Sequence, residues 1–233
     1  MGKKNIQMKN KKRYTGEKML LLGFCVMACF VLLMAYRFMS SIPDTVGREL
    51  SAAEEQEVIE RNSSMIDYIW LTANADFPRG EKIQKITIHH MAGNFTLEQV
   101  GKDFSTSDRK ASSNYAIDST GRVALYVEEG NRPWSSSSKE NDDMAVTIEV
   151  ANDEIGGSWH VSDAAYEKLI ALCADICRRN GIQKLVYTGD AAGNLTLHKM
   201  FSKKTECPGA YLESKMVDIS DAVNQKLSTS DSK

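Results

Sequence analysis

Three residues with metal-binding side chains stand out in the sequence, and two of them are close together. His198 and Cys207 bound a polar segment, HKMFSKKTEC, that is typical of a loop, and His89 ends the strand-like run ITIH far upstream. Two imidazoles and a thiolate suit zinc, a borderline-soft cation that takes nitrogen and sulfur ligands. Three protein ligands leave a fourth position for a water that the metal acidifies, so the pattern indicates a hydrolase.

Side-chain alternation along two predicted strands adds an acid to this set. In ITIH, Thr87 and His89 share one strand face, and in AVTIEV, Thr147 and Glu149 do the same. Burying a glutamate in an apolar strand is costly unless it has a partner. A zinc-bound water is such a partner, with Glu149 as its general base. The alternative is an edge strand that exposes Glu149 to solvent.

The remaining histidines fit a metal site less well. His90 follows His89 and points to the opposite face of a continuing strand, and His160 lies just before a predicted helix. Elimination therefore leaves His89 and His198 as the ligands that join Cys207. The other four cysteines all have apolar explanations, so no disulfide framework is implied.

Strand and helix signals alternate along the part of the chain that carries these residues. Two strand-like runs, ASSNYAID and RVALYVEE, are separated by turn residues and predict a hairpin. Interleaved strands and helices predict an α/β fold with a mixed central sheet flanked by helices. Further strands are predicted at 82–89, 144–150 and 184–187, and helices at 96–104, 162–180 and 210–227.

The first part of the chain has a different composition. Residues 1–18 carry seven Lys and Arg against one acid, and residues 19–36, MLLLGFCVMACFVLLMAY, carry no charge. Eighteen helical residues span about 27 Å, close to the thickness of a hydrocarbon core. We interpret residues 19–36 as a transmembrane helix, with the basic segment 1–18 in the cytoplasm and the later domain outside.

The rest of the 233-residue chain is long enough for one globular domain. Residues 37–66 are interpreted as an acidic, helical and solvated stalk, followed by a domain at 67–227 and a polar tail at 228–233. Two alternatives for the apolar segment are a signal peptide cleaved near residues 40–43 and lipidation of Cys29 at the end of the box VMAC. Residues 40–43 are a weak cleavage site, and the chain stays apolar after Cys29, where a lipoprotein would turn polar.

Four segments together resemble the zinc-dependent N-acetylmuramoyl-L-alanine amidases of the amidase-2 family, to which peptidoglycan recognition proteins are related. The segments are ITIHHMAG, ASSNYAIDSTGRVALYVEEGNRPWSSSS, AVTIEVAND and LHKMFSKKTECPGAYL. They occur in family order within residues 66–227. The resemblance implies cleavage of the amide that joins N-acetylmuramic acid to the L-alanine of the stem peptide in peptidoglycan.

The resemblance also implies roles for individual residues. His89, His198 and Cys207 would bind Zn²⁺, Glu149 would be the general base, and Thr205 would donate to the developing oxyanion. Ser113 occupies the position where some relatives have a catalytic tyrosine, which places more weight on Glu149. The expected contacts with sugar or stem peptide are Asn114, Tyr115, Arg132 and Trp134, although Trp134 could equally be a core residue.

Two functions of other classes remain open at this point. One is a peptidoglycan receptor without turnover, although non-catalytic relatives typically lack the cysteine ligand that is present here as Cys207. The other is a membrane-tethered scaffold in an envelope complex. The expected partners are peptidoglycan and the membrane, without nucleic acid, and the sequence leaves the oligomeric state open.

Overall fold

The computed structural model describes residues 23–34, 42–106 and 108–230. Residues 23–34 are helical, and a compact unit begins at Asp44. In these ranges no helix is long and apolar enough to cross a membrane. The basic segment 1–18 and both ends of the predicted span 19–36 lie outside the described residues, so the membrane helix stays a prediction.

The compact unit contains eight strands and six α-helices within the described residues. Residues 198–200 add one turn of 3₁₀-helix. In chain order the elements are α1 (Ala52–Arg61), β1 (Ile66–Ile69), β2 (Ala75–Asp76), β3 (Lys85–His90), α2 (Leu97–Phe104), β4 (Tyr115–Ile117), β5 (Val123–Leu125), β6 (Arg132–Pro133), α3 (Lys139–Met144), β7 (Ala145–Val150), α4 (Asp163–Arg179), β8 (Leu195–Leu197), α5 (Gly209–Ser214) and α6 (Met216–Ser230).

Six of the strands form one mixed sheet in the order β1-β5-β4-β7-β3-β8. Only β4 and β5 pair antiparallel within it, with Tyr115 opposite Leu125 and Ile117 opposite Val123. This pair is the hairpin that the sequence predicts, and it is confirmed. The predicted α/β fold with a mixed central sheet flanked by helices is confirmed as well. β2 and β6 form a separate two-stranded ribbon.

Helices cover both faces of the sheet, as the alternation of side chains along β5 shows. Val123 and Leu125 pack in the main core with residues of α4 and α6, whereas Ala124 packs against α2 on the opposite face. Both strand faces are therefore buried, which explains why these strands read as continuous apolar runs. The face toward α2 is the one that carries His89 and Glu149.

Side-chain caps fix the starts of the two helices that cover these faces. Thr96 accepts from the backbone N–H of Gln99, whose side chain accepts from the Thr96 N–H, so α2 begins with a complete capping box. Ser162 accepts from the Ala165 N–H at the start of α4. The predicted helix start at this position is confirmed, and each cap satisfies backbone donors that the first turn leaves unpaired.

The strand predicted at residues 184–187 is absent from the structure, although Leu185 is fully buried. Side chains of α6 form hydrogen bonds with the backbone groups of Leu185 that a neighbouring strand would otherwise pair with. The Leu185 N–H donates to Asn224 Oδ1, and its carbonyl accepts from Asn224 Nδ2 and from the Ser220 hydroxyl. The sequence pattern identified a buried extended segment correctly but not the partner that satisfies it.

The segment interpreted as a solvated stalk contains a helix that packs onto the domain. Val58 of α1 is fully buried in the main core, and Arg61 pairs with Glu128 at 3.0 Å. Asn62, just after the helix, donates to Glu128 and accepts from the N–H of Glu129. The predicted helix is present and most of its residues are exposed, but it packs against the domain and does not stand apart from it as a stalk. The apolar stripe of α1 is thin because it consists of little more than Val58 and half-buried Ile59.

The helix predicted at 210–227 is present as two helices. α5 ends before Lys215, and α6 starts directly after it. The break allows Leu212 and the α6 residues Met216, Ile219 and Val223 to reach the same core.

Candidate metal centre

The carboxyl ends of three parallel strands meet at one edge of the sheet. β3 lies between β7 and β8, and the register pairs His89 with Glu149 and Ile88 with Leu197. His198 follows Leu197 directly, as the first residue of the 3₁₀ turn. In open α/β sheets ligands bind beyond this edge of the strands. The topology therefore brings His89, Glu149 and His198 to the place where a site is expected.

Cys207 reaches the same edge on a loop that a glycine closes. The Lys199 N–H donates to the Cys207 carbonyl at 3.0 Å, and the His90 N–H donates to Cys207 Sγ at 3.4 Å. Gly209 has a φ of +84°, and a Cβ there would lie 2.9 Å from Trp159 Cβ and 3.2 Å from the His90 ring. Only glycine permits this approach, which explains the residue after Cys-Pro.

The three predicted ligands come together in the structure. Ligand atoms of His89, His198 and Cys207 all lie within 4.8 Å of one another. No other group of His, Cys, Asp and Glu among the described residues is placed to hold a metal ion. Zinc binds such atoms at roughly 2.0–2.3 Å, so the ligand atoms around it lie about 3–4 Å apart. The nitrogen and sulfur donor set suits this cation, and ligand atoms within 4.8 Å of one another need only a small approach to bind it.

Burial sets the charge of all three side chains. It lowers the pKa of His89, where neighbouring His198 adds to the effect, and it lowers the pKa of His198. Both imidazoles are therefore neutral near pH 7, which is the form that binds a metal. Burial also raises the pKa of the Cys207 thiol, and the charge of Glu149 raises it further. A cation among these side chains would favour the thiolate.

Glu149 lies beside this group and has an unused oxygen. Its Oε1 is 3.8 Å from His89 Nδ1, whereas its Oε2 is shielded from solvent and has no hydrogen-bond partner among the described residues. Burial raises the pKa of this carboxyl to about 8, against a smaller opposing effect of Arg109. A buried acceptor without a partner is costly, so this atom requires a group that the chain does not supply.

A cavity of about 700 Å³ opens onto these residues. His198, Cys207, Glu149 and Thr205 line it, and Thr205 Oγ1 accepts from the Cys207 N–H at 3.1 Å. Much of the remaining lining is apolar and comes from α2 and the loop that joins β3 to it: Met91, Ala92, Phe95, Val100 and Phe104. A larger cavity of about 1070 Å³ lies at the amino ends of β3 and β8, away from the metal-binding side chains.

Comparison with known protein families gives one assignment. The profile of the family Amidase_2, described as N-acetylmuramoyl-L-alanine amidase, matches residues 79–210. This range covers more than half of the 233 residues and includes all three candidate ligands and Glu149. The chain belongs to the amidase-2 family. It is thus an enzyme of the N-acetylmuramoyl-L-alanine amidase class, which acts on peptidoglycan.

Two solved structures support the fold of this amidase. A selenomethionine derivative of AmpD is 16% identical and superposes with a TM-score of 0.52, covering 67% of this chain and 94% of that one. A variant of PlyL is 14% identical with a TM-score of 0.50, covering 69% and 97%. At these identities the likeness concerns the fold alone. A search of curated proteins found no match.

Two of the predicted substrate contacts lie inside the amidase fold. Asn114 and Tyr115 are fully buried. Asn114 donates to the Val127 carbonyl and accepts from the Thr147 N–H, so it joins neighbouring strands. The Tyr115 hydroxyl donates to Glu129 Oε1 at 2.7 Å in the core. Their placement disagrees with the expected contact to sugar or peptide, because the fold uses their polar atoms.

Arg132 and Trp134 also serve the fold, outside the cavity lining. Arg132 is almost fully buried and pairs with Asp76, and Trp134 Nε1 donates to the other oxygen of the same carboxylate. Arg132 thereby joins the two strands of the ribbon, and Trp134 ties β2 to the segment that leads into α3. The structure does not bring either side chain to the residues around Glu149.

Some residues of the site have no strong sequence signal. Phe95 and Arg109 line the cavity from segments that read as loops. Ser135 and Ser137 lie against the two candidate histidine ligands, with 3.1 Å from Ser135 Oγ to His89 Nε2 and 3.5 Å from Ser137 Oγ to His198 Nε2. The run of four serines after Trp134 is the one signal that marks them.

Proposed function

We propose that this chain is a zinc-dependent peptidoglycan hydrolase that cleaves the amide between N-acetylmuramic acid and the L-alanine of the stem peptide. The observation that carries the proposal is the convergence of His89, His198 and Cys207 beside an acid, Glu149, at the head of a cavity. Membership of the amidase-2 family supports the bond that is cleaved. The zinc requirement rests on the ligand atoms that converge, two imidazole nitrogens and one cysteine sulfur.

His89, His198 and Cys207 would hold the metal. Bound there, Zn²⁺ supplies Lewis acidity that activates water and polarises the scissile carbonyl. The two imidazoles are neutral, so the thiolate is the only ligand that brings a negative charge. Such a site keeps a net positive charge toward the cavity, where the substrate carbonyl would bind.

Glu149 is the proton carrier in this proposal. Burial raises the pKa of its carboxyl, and a bound cation would lower that pKa again and favour the carboxylate, which is the form that acts as a general base. The carboxylate takes a proton as the water oxygen attacks the carbonyl carbon. It then passes the proton to the departing nitrogen as the C–N bond breaks. The products are a carboxylate on the muramic acid and a free α-amino group on L-alanine.

Thr205 is the proposed donor to the oxyanion that forms on the carbonyl oxygen. It lines the cavity, and its hydroxyl already accepts from the Cys207 N–H. The hydroxyl proton is therefore free to point toward the substrate. Donors arranged before the reaction stabilise such an oxyanion without the cost of reorganisation.

The apolar part of the cavity is proposed to bind the substrate beside the scissile bond. Phe95 has 46% of its side chain exposed and lines the cavity next to Met91 and Val100. Its ring rests on Gly93, where a Cβ would lie 2.4 Å from Phe95 Cε2. This contact leaves much of the ring open to a ligand. Apolar lining with a few directed polar groups is typical of small-ligand sites.

The position of the enzyme in the cell is also a proposal. The uncharged residues 19–36 after a basic segment favour a single-pass anchor with the N-terminus in the cytoplasm. The amidase domain would then face the cell wall from the outer side of the membrane. Peptidoglycan lies on that side, so the proposed topology agrees with the proposed substrate.

Release of muropeptides tests the enzymatic proposal. Full-length protein is incubated with purified peptidoglycan, and new α-amino groups of L-alanine are counted by end-group labelling. We expect release that a chelator abolishes and added zinc restores. Tight binding to peptidoglycan without release would instead indicate a receptor, and release that a chelator does not affect would contradict the zinc requirement.

A further inference from the structure

We infer that the four serines at 135–138, here called the serine loop, orient both histidine ligands by accepting a hydrogen bond from Nε2 of each ring. The inference rests on the proposed zinc site and adds what holds the two histidine rings in place. A histidine ligand almost always uses its second nitrogen in a hydrogen bond that fixes its tautomer and orientation.

The contacts of the two rings carry the inference. His89 Nε2 lies 3.1 Å from Ser135 Oγ, and His198 Nε2 lies 3.5 Å from Ser137 Oγ. On the opposite side of its ring, His89 Nδ1 lies 3.8 Å from Glu149 Oε1. Both Nε2 atoms thus face the serine loop. The Nδ1 of His89 faces the acid that is proposed to activate water.

A neutral imidazole with its proton on Nε2 fits this arrangement. The Nε2–H donates to the serine oxygen, and the lone pair of Nδ1 is free for the metal. Since a hydroxyl can also donate, its own proton can go to another acceptor and does not compete with this bond. Two rings held in one tautomer by one loop would meet the cation without rearrangement.

Two side chains of α3 hold the serine loop in place by hydrogen bonds. The carboxylate of Asp142 accepts from the N–H groups of Ser135 and Ser136 at 3.0 Å. Asn141 Nδ2 donates to Ser136 Oγ at 3.2 Å and to Thr87 Oγ1 at 2.9 Å. Thr87 belongs to β3, two residues before His89. One network therefore links the loop to the strand that carries the first ligand.

The backbone at Ser137 is unusual in a way that agrees with this role. Ser137 has a φ of +66°, a left-handed conformation that side chains other than glycine rarely adopt. Such a conformation is costly and persists where the surroundings enforce it, often at functional sites. Here it places the hydroxyl of an exposed residue against His198. A glycine would fit the backbone better but would lack that oxygen.

The tautomer of the two ligands is the direct test. Full-length protein is labelled with ¹⁵N-histidine and loaded with zinc, and long-range ¹H–¹⁵N correlations are recorded. The chain has four histidines, so the spectrum is simple to assign. We expect His89 and His198 to carry the proton on Nε2 and the metal on Nδ1. Protonated Nδ1 on either ring would overturn the inference.

Zinc affinity, measured by competition with a chromophoric chelator, tests whether the serine hydroxyls support the histidine ligands. Ser135→Ala is expected to weaken binding by about 10–100-fold, as is typical for such outer partners. Ser135→Thr keeps the hydroxyl and should restore most of the affinity. Ser158→Ala, which removes a hydroxyl that donates to Glu154 on an exposed loop, is the matched control with no expected effect.

Ser137→Gly separates the proposed role from a structural one. Glycine relieves the positive φ, so the free energy of unfolding of the metal-free protein should not fall, while zinc affinity should. Unchanged affinity in both Ser135→Ala and Ser137→Gly would overturn the inference and leave the zinc site intact. A wild-type protein that binds no zinc would contradict the proposed function itself.

Discussion

His89 and Glu149 lie side by side on adjacent parallel strands, with 3.8 Å between His89 Nδ1 and Glu149 Oε1. The register of β3 and β7 fixes this distance, because each residue is the direct partner of the other. A candidate ligand and a candidate base are thus held by the rigid centre of the sheet. Sites on strands are more precise than sites on loops, and proton transfer needs such precision.

Replacing Glu149 should separate catalysis from metal binding. Glu149→Gln keeps the shape of the side chain but removes the base, so kcat should fall by about 10²–10⁴-fold. Zinc content should stay at the wild-type level, because Glu149 is not among the three ligands. Steady-state kinetics on muropeptides together with metal analysis checks both. A variant with normal kcat would remove Glu149 from the mechanism.

The stability of the metal-free protein should depend on the protonation of Glu149. Its pKa in the fold is about 8, above the ordinary value of 4.5 that applies to the unfolded chain. The stabilisation is therefore complete below about pH 4.5 and is lost as the pH rises toward about 8. Glu149→Gln stays neutral and should lack this loss. Urea unfolding in chelator across this range checks it, and equal pH dependence in both proteins would contradict it.

Phe95 should contribute to substrate binding more than to the chemical step. Phe95→Ala removes an exposed ring from the cavity wall, so KM should rise by about tenfold, corresponding to roughly 1.4 kcal/mol. The kcat should change little, because the ring has no group that can transfer a proton or bind a metal. Val217→Ala, at an exposed apolar residue of α6, is the matched control. An unchanged KM in Phe95→Ala would exclude this contact.

Helix α1 should contribute to the stability of the domain. Val58 is fully buried in the main core, so Val58→Ala should lower the free energy of unfolding by about 1–3 kcal/mol. Glu57→Ala at the neighbouring exposed position should change it much less. Urea unfolding of the two variants makes the comparison. Equal stability would restore the interpretation of residues 37–66 as a stalk that is independent of the domain.

The sequence predicts the part of the site that strands carry. Alternation places His89 and Glu149 on one face, and the parallel register makes them neighbours. The third and fourth groups, His198 and Cys207, are predicted from residue type, their spacing on one loop and the family resemblance. Their meeting depends on the order of β8 beside β3, which a period-2 pattern does not encode.

The sequence does not predict the contacts that loops and buried polar groups make. The family resemblance predicts Tyr115 at the substrate, yet its hydroxyl donates to Glu129 in the core. Leu185 was expected in a strand, but Asn224 satisfies its backbone. Each outcome depends on a partner distant in sequence. Local propensity contains no information about such partners.

The metal content of the full-length protein tests the central claim most directly. Purified wild-type protein and Cys207→Ala are dialysed against trace zinc, and zinc per chain is measured by atomic emission, with circular dichroism to verify folding. The proposed centre predicts about one zinc per chain in the wild type and almost none in the variant. A folded, active wild-type protein without zinc, or equal zinc in both proteins, would contradict it.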